Sequence, residues 1–151
     1  MKEGKYKKAE KYYDSIFEGI ETESLPMPDL NGKAPEKGYL EKTMSLKEET
    51  ILSYCEKLGV TPNILFTGLF GILMAKYSNA EDSLFSTIYN GRNDSRLENT
   101  VCMLVKTLPV YCKFDPKTTV QAYMAELSEQ MLSSMANDIF PVSYTHLTLP
   151  T

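Results

Sequence analysis

The stretch that decides the fold is residues 59–92, which read GVTPNILFTGLFGILMAKYSNAEDSLFSTIYNGR. It opens with a threonine that can cap a helix, Thr61, followed by a proline at the first helical position, Pro62. Residues 62–77 are apolar almost all round, and a helix of that composition is usually covered on most of its sides. The pattern therefore predicts a buried helix that begins at Pro62 and ends at Tyr77.

The sequence after this helix favours strands and then a last helix. Residues 83–89 are rich in β-branched and aromatic side chains, and residues 90–94 are typical of a turn or loop that follows a strand. Residues 101–111 predict a second strand, and either Thr118 or Thr119 can cap the last helix. We expect that helix to direct these side chains inward: Val120, Tyr123, Met124, Leu127, Met131 and Leu132.

The sequence before residue 59 carries weaker signals. The apolar spacing over residues 6–20 predicts an amphipathic helix, and the prolines of residues 25–38 indicate an extended linker. Residues 38–44 fit a short edge strand. Residues 45–48, SLKE, form a capping box, so they predict a helix that Gly59 ends in a left-handed conformation. Its expected inward residues are Leu46, Ile51, Leu52, Cys55 and Leu58. This order of helices and strands predicts a layered α/β (α+β) fold.

Composition and charge exclude several functional classes. The chain has 151 residues, of which 42% are apolar, so it can form one globular core. Its net charge of −4 argues against a nucleic-acid partner, whose recognition begins with a basic patch. No apolar run reaches the length of a membrane span, and residues 1–11 do not resemble a secretory signal. We therefore expect a cytoplasmic protein.

Sulfur-containing residues are expected to be structural. The three cysteines are an odd number without CxxC spacing, which favours reduced thiols that pack as small apolar groups. They are Cys55, Cys102 and Cys112. We interpret four methionines in the same way, as pliable side chains of the apolar core: Met74, Met103, Met124 and Met131.

A search for catalytic and metal-binding patterns finds none. The chain lacks GxSxG, HExxH, Walker and Rossmann glycine motifs, and its one histidine is His146. The scattered carboxylates are more typical of solvated helix faces than of acid/base pairs. We therefore assign no catalytic residue and no metal site.

We interpret the last ten residues as a segment that is not native to the protein. Residues 142–151, VSYTHLTLPT, resemble the translated read-through of a sequencing-library adapter. Such segments are excluded from reasoning about the fold. The alternative is a genuine polar strand at the C-terminal end of the chain.

Five short segments, in order, resemble the condensation domains of nonribosomal peptide synthetases. Residues 8–13, KAEKYY, match the A-x-x-YW segment of that family, and the 59–92 stretch matches its GVT helix and a strand that ends in GR. Residues 101–110, VCMLVKTLPV, resemble VGxFVNTLPL, and residues 137–141, NDIFP, resemble the start of [HN]QDxPFE. Cys102, Lys106 and Tyr111 depart from the family, which usually has Gly, Asn and Arg at these places.

The resemblance implies a chloramphenicol-acetyltransferase-like half-domain. In this family a V of two such halves joins an acyl thioester on one carrier protein to the amine of an aminoacyl thioester on the next. The phosphopantetheine arms of the carriers enter a tunnel between the halves, and no cofactor is bound directly. The second histidine of an HHxxxDG motif positions or deprotonates the amine, and we expect that motif to lie upstream of Met1, so the chain would be an internal fragment.

The same resemblance implies four segments. Residues 1–24 would be a helix from the N-terminal half, and residues 25–44 would be the linker between the halves. Residues 45–141 would begin the C-terminal half and supply part of the tunnel wall. Residues 142–151 would be the adapter-derived tail. The expected partners are carrier proteins, adjacent synthetase domains and the missing N-terminal half, with no nucleic acid and no membrane.

Four residues are candidates for a role in the tunnel or its support. Arg92 carries a fork of donors that suits a pantetheine phosphate, a carboxylate or a backbone carbonyl. Asn90 and Gly91 would form the turn that aims Arg92, and Thr107 lies on the strand expected to face the tunnel. For each of them the structural alternative is an ordinary turn, a strand-end contact or β-branched packing.

Three functions remain open at the level of sequence. The first is part of an amide-forming condensation domain. The second is an epimerisation domain or another member of the same superfamily. The third is a non-catalytic module that docks carrier proteins.

Overall fold

A computed structural model describes residues 2–20, 38–43, 45–92, 95–97 and 99–139. These residues form four helices and two strands in the predicted order of helix, helix, strand, strand and helix, after an N-terminal helix. The elements are α1 (Lys2–Phe17), α2 (Glu48–Leu58), α3 (Pro62–Tyr77), β1 (Asp82–Tyr89), β2 (Lys106–Lys113) and α4 (Val120–Ala136), with a short 3₁₀ turn at Ser95–Leu97. Most of the predicted linker, residue 44 and all of residues 142–151 lie outside the described residues.

Local signals explain most helix ends. Thr61 Oγ1 accepts the Ile64 N–H at 3.3 Å, and Pro62 is the first residue of α3, as predicted. Gly59 ends α2 with a φ of 70°, also as predicted. The capping box predicted at residues 45–48 does not form. Helix α2 begins at Glu48, and the preceding residue, Lys47, makes no side-chain cap. Since Glu48 is the first helical residue, it lies in the first turn and not three residues into the helix, where a reciprocal cap needs it.

The two strands form an antiparallel pair that sets Ser83 opposite Cys112 and Tyr89 opposite Lys106. The second strand is shorter at its start than predicted, because it begins at Lys106 and residues 101–105 form no strand. The expected edge strand at 38–44 was also wrong for residues 38–43, which have no regular structure.

The helices form a layer against one face of this sheet. Helix α3 packs mainly on β1, α4 packs on β2, and α2 packs on both helices. The centre of the core is completely or almost completely buried and consists of Val110, Cys112, Tyr123, Met124, Leu127 and Met131. The four residues Tyr123, Met124, Leu127 and Met131, predicted to face inward from α4, are confirmed, whereas Val120, the first residue of the helix, and Leu132 are exposed.

Several other burial predictions were wrong. Leu46 precedes α2 and is exposed, as is Leu52 on the outer side of that helix. Cys102 and Met103 are also exposed, because the strand that was to bury them does not form. Cys55 and Cys112 are buried as expected. Helix α3 is buried on one side alone, since Phe66, Leu69, Phe70 and Leu73 are 46–50% exposed.

Among the described residues, no single helix is both long and apolar enough to cross a bilayer. Helices α2 and α3 meet the criterion of length and composition when they are taken together, across a bend of 86°.

Helix α3 packs closely on the sheet and on α4 through two glycines. A Cβ atom at Gly71 would lie 2.5 Å from Cys112 Sγ, and one at Gly68 would lie 2.9 Å from Met124 Sδ. Two hydrogen bonds secure the contact: Ser83 Oγ donates to the Gly71 carbonyl at 2.9 Å, and the Tyr123 hydroxyl donates to the Gly68 carbonyl at 3.0 Å. Gly71 therefore sets the distance between α3 and the sheet, and Gly68 sets the distance between α3 and α4.

We predict that Gly71→Ala destabilises the chain by about 1–3 kcal/mol, the usual result of overpacking a core. The added methyl group must displace Cys112, whose Sγ and Cβ both lie within 3 Å of it. Urea unfolding measures the change. The matched control is Gly4→Ala in α1, where a Cβ meets nothing within 4 Å. Equal stability of the two variants would contradict the close packing of α3.

Candidate functional site

The four candidate residues lie at one end of the two-stranded sheet. Asn90, Gly91 and Arg92 follow the last residue of β1, and Thr107 is the second residue of β2. Asn90 Oδ1 accepts the Arg92 N–H at 3.1 Å, which closes a tight turn. Gly91 has a φ of 68°, and a Cβ there would collide with the carbonyl oxygen of Leu104. A glycine is therefore required both by the conformation of the turn and by the space beside it.

Arg92 holds the loop that joins the two strands. Its Nη1 donates to the carbonyls of Leu97 at 2.6 Å and Thr100 at 3.1 Å, and its Nη2 donates to the carbonyl of Cys102 at 3.2 Å. Three of the five guanidinium N–H groups therefore donate to backbone carbonyls of this loop. Of the ligands that the sequence allowed for Arg92, the structure shows backbone carbonyls. We call Arg92 with these three carbonyls the Arg92 clamp.

The clamp also explains where β2 begins. The carbonyl of Cys102 is directed to Arg92, and Leu104 lies against Gly91. Residues 101–105 are therefore held beside the turn and not beside β1. Val101 and Met103 are almost fully exposed as a result.

Lys106 and Asp138 join two of the segments that carry the family resemblance. Lys106 Nζ lies 3.0 Å from the Asp138 carboxylate and donates to the Asp138 backbone carbonyl at 3.1 Å. An ion pair exposed to this degree contributes at most about 1 kcal/mol. Thr107 is half-buried and lies opposite Ile88, which is 77% exposed on the same face of the sheet.

A second polar network connects α1 to the sheet, and the sequence did not reveal it. The Tyr12 hydroxyl donates to the Gln130 carbonyl at 3.1 Å and lies 3.0 Å from Ser134 Oγ, while the Tyr13 hydroxyl donates to the Ser134 carbonyl at 3.3 Å. The Gln130 side chain in turn bonds both the N–H and the C=O of Tyr111. Helical spacing in α1 was the available signal, and it does not identify a hydrogen-bond partner more than a hundred residues away.

The described residues offer little for acid/base or metal chemistry. Among them no group of three or more His, Cys, Asp or Glu side chains could hold a metal ion. Burial raises the pKa of the Cys112 thiol, so this sulfur is a packed neutral group and not a ready nucleophile. The arrangement at the end of the sheet is therefore one that holds backbone in place.

Comparison with known proteins identifies the family. The family model of the condensation domain matches residues 1–146. The chain therefore belongs to the condensation-domain family.

Individual relatives agree with this assignment. Tyrocidine synthase 2 of Brevibacillus parabrevis is 27% identical over 141 residues, which are 90% of this chain and 4% of that protein. Gramicidin S synthase 2 of Brevibacillus brevis is 31% identical over 83 residues, which are 55% of this chain and 2% of that protein. The chain thus spans a small part of the synthases it matches.

A solved structure shows the fold. The first condensation domain of the calcium-dependent antibiotic synthetase, in complex with a substrate analogue, superposes with a TM-score of 0.71 at 18% identity. The match covers 97% of this chain and 34% of that structure. The predicted layered α/β fold of the chloramphenicol-acetyltransferase-like type is confirmed.

We predict that Arg92→Lys loosens the loop between the strands, because one ammonium group cannot reach the three carbonyls that the planar fork bonds. Hydrogen exchange at the N–H groups of Thr100 and Cys102, which are hydrogen-bonded within the loop, should accelerate at least tenfold while the melting temperature falls by a few degrees. Lys117→Ala, on the exposed turn before α4, is the control. Unchanged exchange in Arg92→Lys would show that the clamp does not hold the loop.

We predict that the fold loses stability as the pH rises above 10. Burial raises the pKa of Tyr13 to about 12, and burial together with the hydrogen bond to Asp82 raises that of Tyr111 to about 12. The unfolded chain releases these protons near pH 10 and the folded chain near pH 12, so their contribution is complete below pH 10 and is lost through pH 12. Melting temperatures from pH 8 to 12 test this. Tyr13→Phe should reduce the loss, and a flat profile would contradict it.

Proposed function

We propose that this chain is a structural part of a nonribosomal peptide synthetase condensation domain that joins carrier-bound acyl and aminoacyl thioesters through an amide bond. The observation that carries the proposal is the family match over residues 1–146 together with the shared fold. The expected partners are carrier proteins, whose phosphopantetheine arms deliver the two reactants, and the neighbouring synthetase domains in the cytoplasm.

The contribution of this chain is to shape one wall of the reaction tunnel. The Arg92 clamp determines the path of residues 99–105, and the close packing of α3 determines the position of the sheet behind them. Holding two reactants in the right geometry contributes roughly 7–11 kcal/mol to a reaction between them. A wall that keeps its shape therefore supports amide formation without supplying a catalytic group.

We propose that the group that deprotonates the amine lies outside this part of the tunnel wall. His146 is the only histidine of the chain and lies outside the described residues. A general base must lie within hydrogen-bond reach of the amine that it deprotonates. We therefore assign that role to the HHxxxDG motif expected upstream of Met1, and we assign no catalytic residue to residues 1–151.

We predict that the purified 151-residue chain forms no amide bond when it is mixed with two carrier proteins loaded with acyl and aminoacyl thioesters. Mass spectrometry of the carrier-bound product, against an active condensation domain as positive control, measures this. Product formation above the rate without protein would show that the chain carries its own base.

The genomic reading frame separates the remaining alternatives. An in-frame HHxxxDG before Met1, with adenylation and carrier domains nearby, supports the proposed function, and the product's stereochemistry then separates condensation from epimerisation. A stop codon and a ribosome-binding site immediately before Met1 would instead support a free-standing module that docks carrier proteins.

A further inference from the structure

Helix α1 buries one face, although many of its side chains are exposed. Ala9 is completely buried and Tyr13 is 4% exposed, while Tyr12, Ile16 and Phe17 are partly buried. These residues recur at the three- and four-residue spacing of a single helix face. A helix of this length is marginal in water on its own, so we attribute its stability to the contacts of that face.

Two adjacent tyrosines on this face end on α4. The Tyr12 hydroxyl donates to the Gln130 carbonyl at 3.1 Å and lies 3.0 Å from Ser134 Oγ. The Tyr13 hydroxyl donates to the Ser134 carbonyl at 3.3 Å. We call these three contacts the α1 latch. They join positions that are 118–122 residues apart in the sequence.

The α4 side of the latch continues the buried face of that helix. Leu127, Met131 and Ser134 follow one another at helical spacing, and Ser134 is completely buried. A hydroxyl group that is removed from water costs free energy unless it has a hydrogen-bond partner. The Tyr12 hydroxyl supplies that partner to Ser134. The polar residue at this end of an otherwise apolar face is therefore explained by the presence of α1.

The latch is connected through α4 to both strands of the sheet. Gln130, whose backbone carbonyl accepts from Tyr12, uses its side chain to bond the N–H and C=O of Tyr111 in β2. The Tyr111 hydroxyl in turn donates to the Asp82 carboxylate of β1 at 2.8 Å. Polar contacts thus run without interruption from α1 through α4 to β2 and β1.

We propose that α1 is a fixed part of the folded unit that contains α4 and the sheet, and that the boundary between the two halves of the condensation domain lies before α1. The family resemblance implied that residues 1–24 belong to the N-terminal half, but a motif in the sequence does not record where a helix packs. In the proposed arrangement, residues 18–47 join α1 and α2 within one half. The existence of two halves rests on the proposed function, whereas the attachment of α1 rests on the latch alone.

The test is hydrogen exchange of the 151-residue chain, resolved by residue. We expect the amides of residues 9–14 to exchange far more slowly than those of an unstructured chain. Tyr12→Phe combined with Tyr13→Phe removes the two hydroxyls and keeps the rings, so exchange at residues 9–14 should accelerate by about tenfold or more. Tyr54→Phe, at an exposed tyrosine of α2, is the matched control.

A second pair of variants keeps the test decisive if the double variant fails to fold. Ala9→Glu places a charge at the completely buried position of α1 and should release the helix, with rapid exchange throughout residues 9–14. Lys8→Glu introduces the same side chain at the neighbouring exposed position and should leave exchange there slow. Exchange in the unmodified chain as fast as that of an unstructured chain overturns the proposal, as do equal effects of Ala9→Glu and Lys8→Glu.

The measurement requires no carrier protein and no amide formation. A freely exchanging α1 would therefore refute its attachment and leave the proposed function untouched. Conversely, a failure of the proposed function would leave the exchange of residues 9–14 unchanged.

Discussion

The contact on which the rest of the structure depends is the close approach of α3 to the sheet at Gly71 and to α4 at Gly68. Because neither residue has a side chain, Met124 and Cys112 can lie where a Cβ atom would otherwise be. The backbone carbonyls of the same two glycines accept hydrogen bonds from Tyr123 and Ser83. The helix is therefore bonded to both α4 and β1 through its glycine face, and the opposite face, with its aromatic and leucine side chains, remains exposed. The distribution of buried and exposed apolar surface follows from that orientation.

The Arg92 clamp and the Gln130 side chain, which bonds the N–H and C=O of Tyr111, perform similar tasks at two places. Each uses a side chain with several donors or acceptors to satisfy backbone groups that no strand or helix pairs. The clamp holds a loop beside the end of β1, and the Gln130 side chain pairs with the N–H and C=O of Tyr111 in β2.

Sequence patterns predicted the helices and strands better than they predicted the tertiary contacts of those elements. The Thr61–Pro62 start, the Gly59 end of α2 and the β-branched run of β1 are local signals, and each was confirmed because a few adjacent residues determine it. The start of β2 was wrong by five residues, since an arginine in the preceding turn binds the carbonyls of that segment. The candidate residues of the turn were found through family resemblance, but the polar network of Tyr12, Tyr13 and Ser134 was not. It joins residues that are distant along the chain, and no local pattern records their contact.

The sequence by itself determined the element order, the turn at Asn90–Gly91–Arg92 and membership of a family, since these depend on residue types and on spacing along the chain. The tertiary structure alone decided which face of α3 is buried, because an almost uniformly apolar helix has no face that composition can select. It also decided what Arg92 binds, since a guanidinium suits phosphates, carboxylates and carbonyls alike, and the choice depends on which acceptors the folded loop places within 3.2 Å. The contact of Gln130 with Tyr111 has the same origin, because the two residues are 19 positions apart in the sequence and lie on different elements.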